Sequence, residues 1–82
     1  MPTRVLMAKL PTISSNDAIR AFQRAGYWVD HQTGSHIILR HPAPDHRHLS
    51  VPHRRELPKG TLRALIRSAG MTADEFCELL EG

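Results

Sequence analysis

The chain has 82 residues, which fits one domain with room for two or three helices and one small sheet. One cysteine, Cys77, excludes an internal disulfide and suits a reducing cytoplasm. We find no secretory leader in residues 1–10 and no run near the ~18 apolar residues of a membrane span. The sequence therefore predicts a cytoplasmic, non-membrane domain over residues 1–82, with residues 1–12 as an N-terminal tail.

Charge is distributed unevenly along the chain, although the formal net charge is only +3. All eleven Lys and Arg residues lie between Arg4 and Arg67, together with four acidic residues, so this stretch carries +7. Residues 68–82 hold the other four acidic residues and no Lys or Arg, which gives −4. A basic body of this kind suits a polyanion such as RNA, although a solvated basic surface without a partner also fits. The acidic end is expected to lie against the basic body.

A first helix is predicted over Asn16–Ala25. Ser14 opens a run of N-capping residues, and apolar residues then recur at helical spacing. Gly26 is the expected C-terminal stop. Ile19 and Phe22 are predicted core residues.

Three short strands are predicted after this helix. Tyr27–Gln32 and His36–His41 are expected to form a hairpin around Thr33-Gly34, because both runs are rich in β-branched and aromatic residues. His48–Val51 is the third strand, and Pro52 ends it because proline has no N–H to donate. The pattern indicates an antiparallel meander.

Two helices complete the chain. Pro58 is expected in the first turn of the second helix, and Gly70 is expected to close it. Thr72 and Glu75 form a capping box for a short last helix. The predicted apolar face of the second helix is Leu62, Leu65, Ile66 and Ala69. The predicted fold class is therefore α+β, with the helices on one face of the sheet and the other face open to solvent or a partner.

His36 is the strongest candidate for chemistry, because Gly34 permits a tight turn just ahead of it and the strand would fix its side chain. A histidine held in this way can transfer protons near neutral pH, although a surface hairpin with an idle histidine is the plainer interpretation. Ser35 is an unpromising nucleophile for His36, because adjacent strand residues face opposite ways. The six histidines lack the spacing of a zinc site, so no metal ligand and no cofactor is predicted.

A phosphate-binding patch is expected at the start of the second helix. Lys59 and Thr61 flank Gly60 there, and Arg54 and Arg55 come just before. Free N–H groups and the helix dipole favour anions at such an end. A plain helix start is the alternative.

Several motifs together resemble the HicA family of toxins. They are Gly34-Ser35-His36 on a hairpin, Val51-Pro52 followed by a polar stretch to Leu57, and the run from Lys59 to Ile66 with Ala69-Gly70. Leu10-Pro11 before the first helix and the Ala25-Gly26-Tyr27 junction also fit. The resemblance covers roughly residues 10–76, and the order and spacing of the pieces make it specific.

The resemblance implies a double-stranded-RNA-binding-domain-like fold and a small mRNA interferase of a type II toxin–antitoxin system. Members of the family cleave RNA without a metal and are silenced by a HicB-type antitoxin. The catalytic histidine of the family corresponds to His36. A second histidine is frequent two residues after Val-Pro, where this chain has Arg54, with His53 before it.

RNA supplies its own nucleophile, the 2′-OH, which a neutral His36 could deprotonate. Cationic groups could stabilise the transition state. The competing interpretations are a non-catalytic RNA-binding module and a protein-interaction domain for an acidic partner. Self-association and hetero-oligomers with the antitoxin both stay open. The residues predicted to bind RNA are Ser35, Arg54, Arg55, Lys59 and Thr61.

Overall fold

The computed structural model describes residues 10–82, which form three helices and one three-stranded sheet. The elements are α1 (Ser15–Arg24), β1 (Trp28–Thr33), β2 (His36–Arg40), β3 (Leu49–Pro52), α2 (Lys59–Ser68) and α3 (Ala73–Glu81). The sheet is antiparallel with strand order β1-β2-β3. This confirms the predicted α+β order of helix, three strands and helix, followed by a short last helix. No helix within residues 10–82 has the length and apolar character needed to cross a membrane.

Local sequence signals set the helix ends. The Ser14 hydroxyl oxygen accepts a 3.1 Å hydrogen bond from the Asp17 amide at the start of α1. Thr72 and Glu75 form the predicted capping box of α3, through hydrogen bonds of 3.1 and 2.8 Å. Gly26 follows the α1 C-cap with a φ of 104°, which a residue with a side chain rarely adopts.

The register divides the sheet into a buried face and an open face. Ile37 pairs with Val51, and Leu39 pairs with Leu49; all four are buried, on the side where α1 and α2 pack. Because alternate strand residues face opposite sides, His36 and Arg40 stand on the other, open face. The structure therefore confirms helices on one sheet face, with the catalytic candidate on the opposite face.

One core runs through all the helices and the buried sheet face. Phe22 of α1 lies 5.1 Å from Phe76 of α3 between ring centroids, and both side chains are fully buried. The predicted core positions on α1 and α2 are all buried. Leu10, at 2% exposure, also joins the core although it was predicted to be part of a tail. Residues 1–9 of that predicted tail lie outside the described residues.

Some predicted boundaries were wrong by one position. The hairpin turn is Gly34-Ser35 rather than Thr33-Gly34, because Thr33 pairs with His36. Tyr27 precedes β1 and is buried, with its hydroxyl donating to the Arg47 carbonyl at 3.2 Å. Pro58 is the N-cap of α2 rather than a residue of its first turn.

The acidic helix α3 packs against the C-terminal end of α1. Nη1 of Arg24 donates a 2.6 Å hydrogen bond to the carbonyl oxygen of Leu79, in the last turn of α3. A cation at this end also complements the helix dipole. The acidic end therefore lies against the basic body as expected, through the buried pair Phe22 and Phe76 and through the bond of Arg24 to the α3 backbone.

Candidate nucleic-acid interface

His36 is the first residue of β2 and lies exposed on the open face of the sheet. It pairs with Thr33 on β1 and with Pro52 on β3, so strands on both sides hold its backbone. The turn before it needs Gly34, whose φ is 52°. The structure thus confirms the predicted position of His36, immediately after a glycine turn and with a fixed backbone.

Ser35 lies in the turn, and its hydroxyl oxygen is 3.4 Å from Nδ1 of His36. The prediction that the two side chains point apart was wrong, because it treated Ser35 as a strand residue. The contact is at the long end of hydrogen-bond geometry. With a proton on Nδ1, the ring donates to Ser35 and presents an unprotonated Nε2. No described residue bonds Nε2.

The loop after β3 is fastened next to this turn. The His53 amide donates a 2.7 Å hydrogen bond to the carbonyl oxygen of Ser35. The Leu57 amide donates to the carbonyl oxygen of Ile13 at 2.8 Å, and the Leu57 side chain is buried. The loop that carries the predicted cations Arg54 and Arg55 is therefore attached at both ends.

Ser15 is the fully buried residue that holds the middle of this loop. Its hydroxyl oxygen lies 2.5 Å from the Arg54 amide, which donates to it, and 2.6 Å from the Pro52 carbonyl oxygen. The Ser15 amide in turn donates to the Arg54 carbonyl at 3.0 Å. Sequence reasoning missed this role, because the only available signal was a run of capping residues, of which Ser14 is the cap.

The predicted phosphate-binding residues lie at the same end of the molecule. Arg54, Arg55 and Lys59 are exposed, and Thr61 is half-buried in the first turn of α2. Unlike α1 and α3, helix α2 has no side-chain cap, because its N-cap is Pro58. Its first amides therefore remain available to an anion. Among the described residues, no hydrogen bond or ion pair joins His36 to these cations.

An ion-paired cluster occupies the opposite end of the open face. Asp30 accepts from Nδ1 of His31 at 2.6 Å and from Nε of Arg40 at 3.2 Å. These two hydrogen bonds hold the pKa of Asp30 below the ordinary value for aspartate. The bond from His31 has the larger effect, and the bond from Arg40 the smaller. Within residues 10–82, no group of three His, Cys, Asp or Glu side chains is arranged to hold a metal ion.

Comparison with protein families adds an independent observation. The model of a family described as "HicA toxin of bacterial toxin-antitoxin" matches residues 15–71, more than half of the chain. The chain belongs to the HicA toxin family. No curated protein matches it.

The HicA match begins at Ser15 and ends just after α2. It contains the glycine turn, His36, the loop with Arg54 and Arg55, and the first turn of α2. Helix α3 lies beyond it. A HicA toxin belongs to a toxin–antitoxin pair, so the family implies an antitoxin partner for this chain.

Proposed function

We propose that this HicA protein is a metal-independent mRNA interferase in which His36 is the general base. The observation that carries the proposal is the placement of His36: exposed, backbone-paired on both sides, with Nδ1 beside the Ser35 hydroxyl. That arrangement leaves Nε2 directed to solvent or substrate. An mRNA substrate would be met in the cytoplasm, where we expect the protein to act.

The chemistry needs only the RNA and one imidazole. Nε2 of His36 takes the proton of a 2′-OH as its oxygen attacks the adjacent phosphorus. A bond between the 2′-oxygen and phosphorus forms, and the bond from phosphorus to the 5′-oxygen breaks. Water protonates the leaving 5′-oxygen, and the hydroxide so formed recovers the proton from His36. The products are a 2′,3′-cyclic phosphate and a 5′-hydroxyl.

Substrate phosphates are assigned to the exposed cations near the loop and the start of α2. Arg54 and Arg55 lie on a loop that Ser15 holds in place, and Lys59 and Thr61 begin the uncapped helix. Their positive charge and free amides stabilise the phosphates of bound RNA. They also stabilise the negative charge that develops on the oxygens of the reacting phosphate in the transition state. Ser35 is expected to orient the imidazole through its contact with Nδ1.

The proposal is tested with purified protein, labelled RNA and EDTA in the buffer. Cleavage should continue in EDTA, and the product ends should carry a cyclic phosphate. A DNA strand of the same sequence should stay intact, because it has no 2′-OH. The His36→Ala variant should lose about 10²-fold or more in rate, the typical contribution of a general base.

His31→Ala is the matched control, because His31 is also an exposed histidine on the same sheet. It should keep most of the cleavage. Full cleavage by a folded His36→Ala protein would overturn the assignment of His36. Salt-dependent binding of RNA that stays intact would instead identify a non-catalytic RNA-binding module.

We further propose that the implied antitoxin is of the HicB type and covers His36 together with the basic loop. A ribonuclease that is free in the cell would harm its host, so its active surface needs a dedicated inhibitor. An inhibitor that binds the cations assigned to RNA would be acidic where it touches them, and the electrostatic attraction would speed its association at low salt.

A further inference from the structure

A pocket lies at the far end of β2 from His36. It has a volume of about 440 Å³ and forms where the start of β1, the end of β2 and the β2–β3 loop meet. This volume is in the range of small-ligand pockets. Two arginines, one tryptophan, three histidines and one serine at the end of α2 line it: Trp28, Arg40, His41, His46, Arg47, His48 and Ser68. We call this set the Trp28 pocket.

Trp28 is the single tryptophan of the chain, and 44% of it is exposed. Its cross-strand partner in the sheet is Arg40. An exposed aromatic side chain beside arginines is the arrangement on which bases of single-stranded nucleic acids stack while cations hold the backbone.

Hydrogen bonds and ring stacking hold the histidines that line the pocket. Nδ1 of His41 accepts a 3.0 Å hydrogen bond from the Ala43 amide, so the ring proton is on Nε2, which donates to the Ala25 carbonyl at 3.0 Å. The His41 ring stacks on His46 with centroids 4.0 Å apart and an interplanar angle of 12°. This side of the pocket is therefore fixed before any ligand arrives.

The two arginines keep donors for a ligand. Asp30 engages only Nε of Arg40, which leaves its terminal amino groups without a partner among the described residues. The carbonyl oxygen of Arg47 accepts from the Tyr27 hydroxyl, which ties the loop backbone to the core and leaves the guanidinium outside.

We propose that the Trp28 pocket binds one nucleotide of a single-stranded RNA whose scissile bond lies at His36. The base stacks on Trp28, and the phosphate is held by Arg40 and Arg47. The inference rests on the proposed function and adds a subsite to it. From His36 to Arg40 the strand runs four residues, about 13 Å, a distance that a stacked RNA strand covers in about four nucleotides.

Tryptophan fluorescence tests the subsite without any cleavage, because Trp28 is the sole indole. The probe is a 12-nucleotide 2′-O-methyl RNA, which lacks the free 2′-OH needed for reaction. Binding to the full chain should quench the fluorescence. The affinities of the variants that lack the indole are measured by the anisotropy of a fluorescein-labelled copy of the probe, with the unaltered protein as reference. Trp28→Ala should weaken binding about tenfold or more, and Trp28→Phe should keep most of the affinity.

Matched controls separate stacking from charge and from unfolding. Val29→Ala removes a neighbouring side chain of similar exposure, 45%, and should leave the affinity unchanged. Arg47→Gln should lower the slope of log K against log salt by the amount expected for one lost phosphate contact, about 0.7–0.9. Arg20→Gln should leave the slope unchanged, because Arg20 is paired with Asp17. Polyglutamate, a polyanion without bases, should not quench Trp28.

The outcomes distinguish this inference from the proposed function. No quenching by the RNA probe, or unchanged affinity in Trp28→Ala, overturns the subsite even if the protein cleaves RNA. Equal quenching by polyglutamate also overturns it, and indicates an acidic protein partner at this surface. Quenching by the probe in a protein that never cleaves RNA supports the subsite and overturns the ribonuclease proposal.

Discussion

The amide of Arg54 donates a hydrogen bond to the buried hydroxyl oxygen of Ser15, across 39 positions of sequence. The Ser15 amide returns a bond to the Arg54 carbonyl. The pair joins the first turn of α1 to the loop that follows β3. A residue of the core thus fixes the backbone of a loop whose side chains are exposed cations.

Replacing Ser15 by Ala should lower both stability and RNA cleavage. The change leaves the Arg54 amide without its acceptor, and an unpaired buried donor costs about 1–3 kcal/mol. Ser14→Ala is the control, because it removes the N-cap of α1, worth about 1 kcal/mol, and leaves the loop fastened. Urea unfolding and initial cleavage rates at a temperature where both variants are folded measure the difference. Equal cleavage by the two variants would show that Ser15 does not position the loop.

Much of the fold could be predicted from local signals. Helix ends depend on short-range features, and these predicted the ends to within one residue. The features are the N-caps at Ser14 and Thr72 and the glycines that follow the helices, Gly26 and Gly70. The apolar run at residues 37–39 predicted a strand but not its buried face, and the alternation of buried and open residues in β2 and β3 comes from the structure.

The contacts that build the site could not be predicted in this way, because they join distant segments. In the sequence, Ser15 is indistinguishable from the other capping residues around it. Only the structure shows that its hydroxyl group bonds to the backbone of Pro52 and Arg54. The approach of Ser35 to His36 depended on a turn boundary that moved by one position. The Trp28 pocket is formed by separate segments of the chain, and the sequence presents its residues only as scattered histidines and arginines.

Gly26 should tolerate substitution less well than Gly70, although both have positive φ. A Cβ at Gly26 would lie 2.6 Å from Nε2 of His41, whereas nothing lies within 4 Å of one at Gly70. Gly70→Ala should cost only the left-handed strain of about 1–2 kcal/mol. Gly26→Ala should cost more, because His41 must also leave its hydrogen bond to Ala25. Equal unfolding free energies for the two variants would contradict the close packing of His41.

Replacing Arg54, Arg55 and Lys59 together by Ala should weaken RNA binding and flatten its salt dependence. Removing a single cation–phosphate interaction lowers the slope of log K against log salt by about 0.7–0.9, so the triple variant should show a slope smaller by about two to three units. The measurement uses the His36→Ala background, so that the RNA stays intact during titration. An unchanged slope would exclude this cluster as the phosphate site.

The carboxyl group of Asp30 should titrate at a lower pH than an ordinary aspartate, because His31 and Arg40 donate to it. Its ionised form therefore stabilises the folded state above the ordinary pKa of aspartate, and this contribution disappears as pH falls through the lowered pKa. His31→Gln and Arg40→Gln should each raise the pKa of Asp30 in an NMR titration. Arg20→Gln should not, because Arg20 pairs with Asp17 on α1. Unshifted carboxyl titration in both test variants would contradict the cluster.

The antitoxin should protect two separate stretches of the toxin from hydrogen exchange, residues 34–39 and 53–59. The turn and the loop are joined by the bond from the His53 amide to Ser35, so one acidic surface can cover both. The amides of Arg55 and Glu56 are the most informative probes, because no described residue accepts from them in the free chain. Helix α3 serves as the internal reference and should exchange at the same rate in the free and bound toxin. Inhibition with unchanged exchange at Arg55, Glu56 and the Gly34 turn would mean that the antitoxin acts at a distance and leaves His36 open.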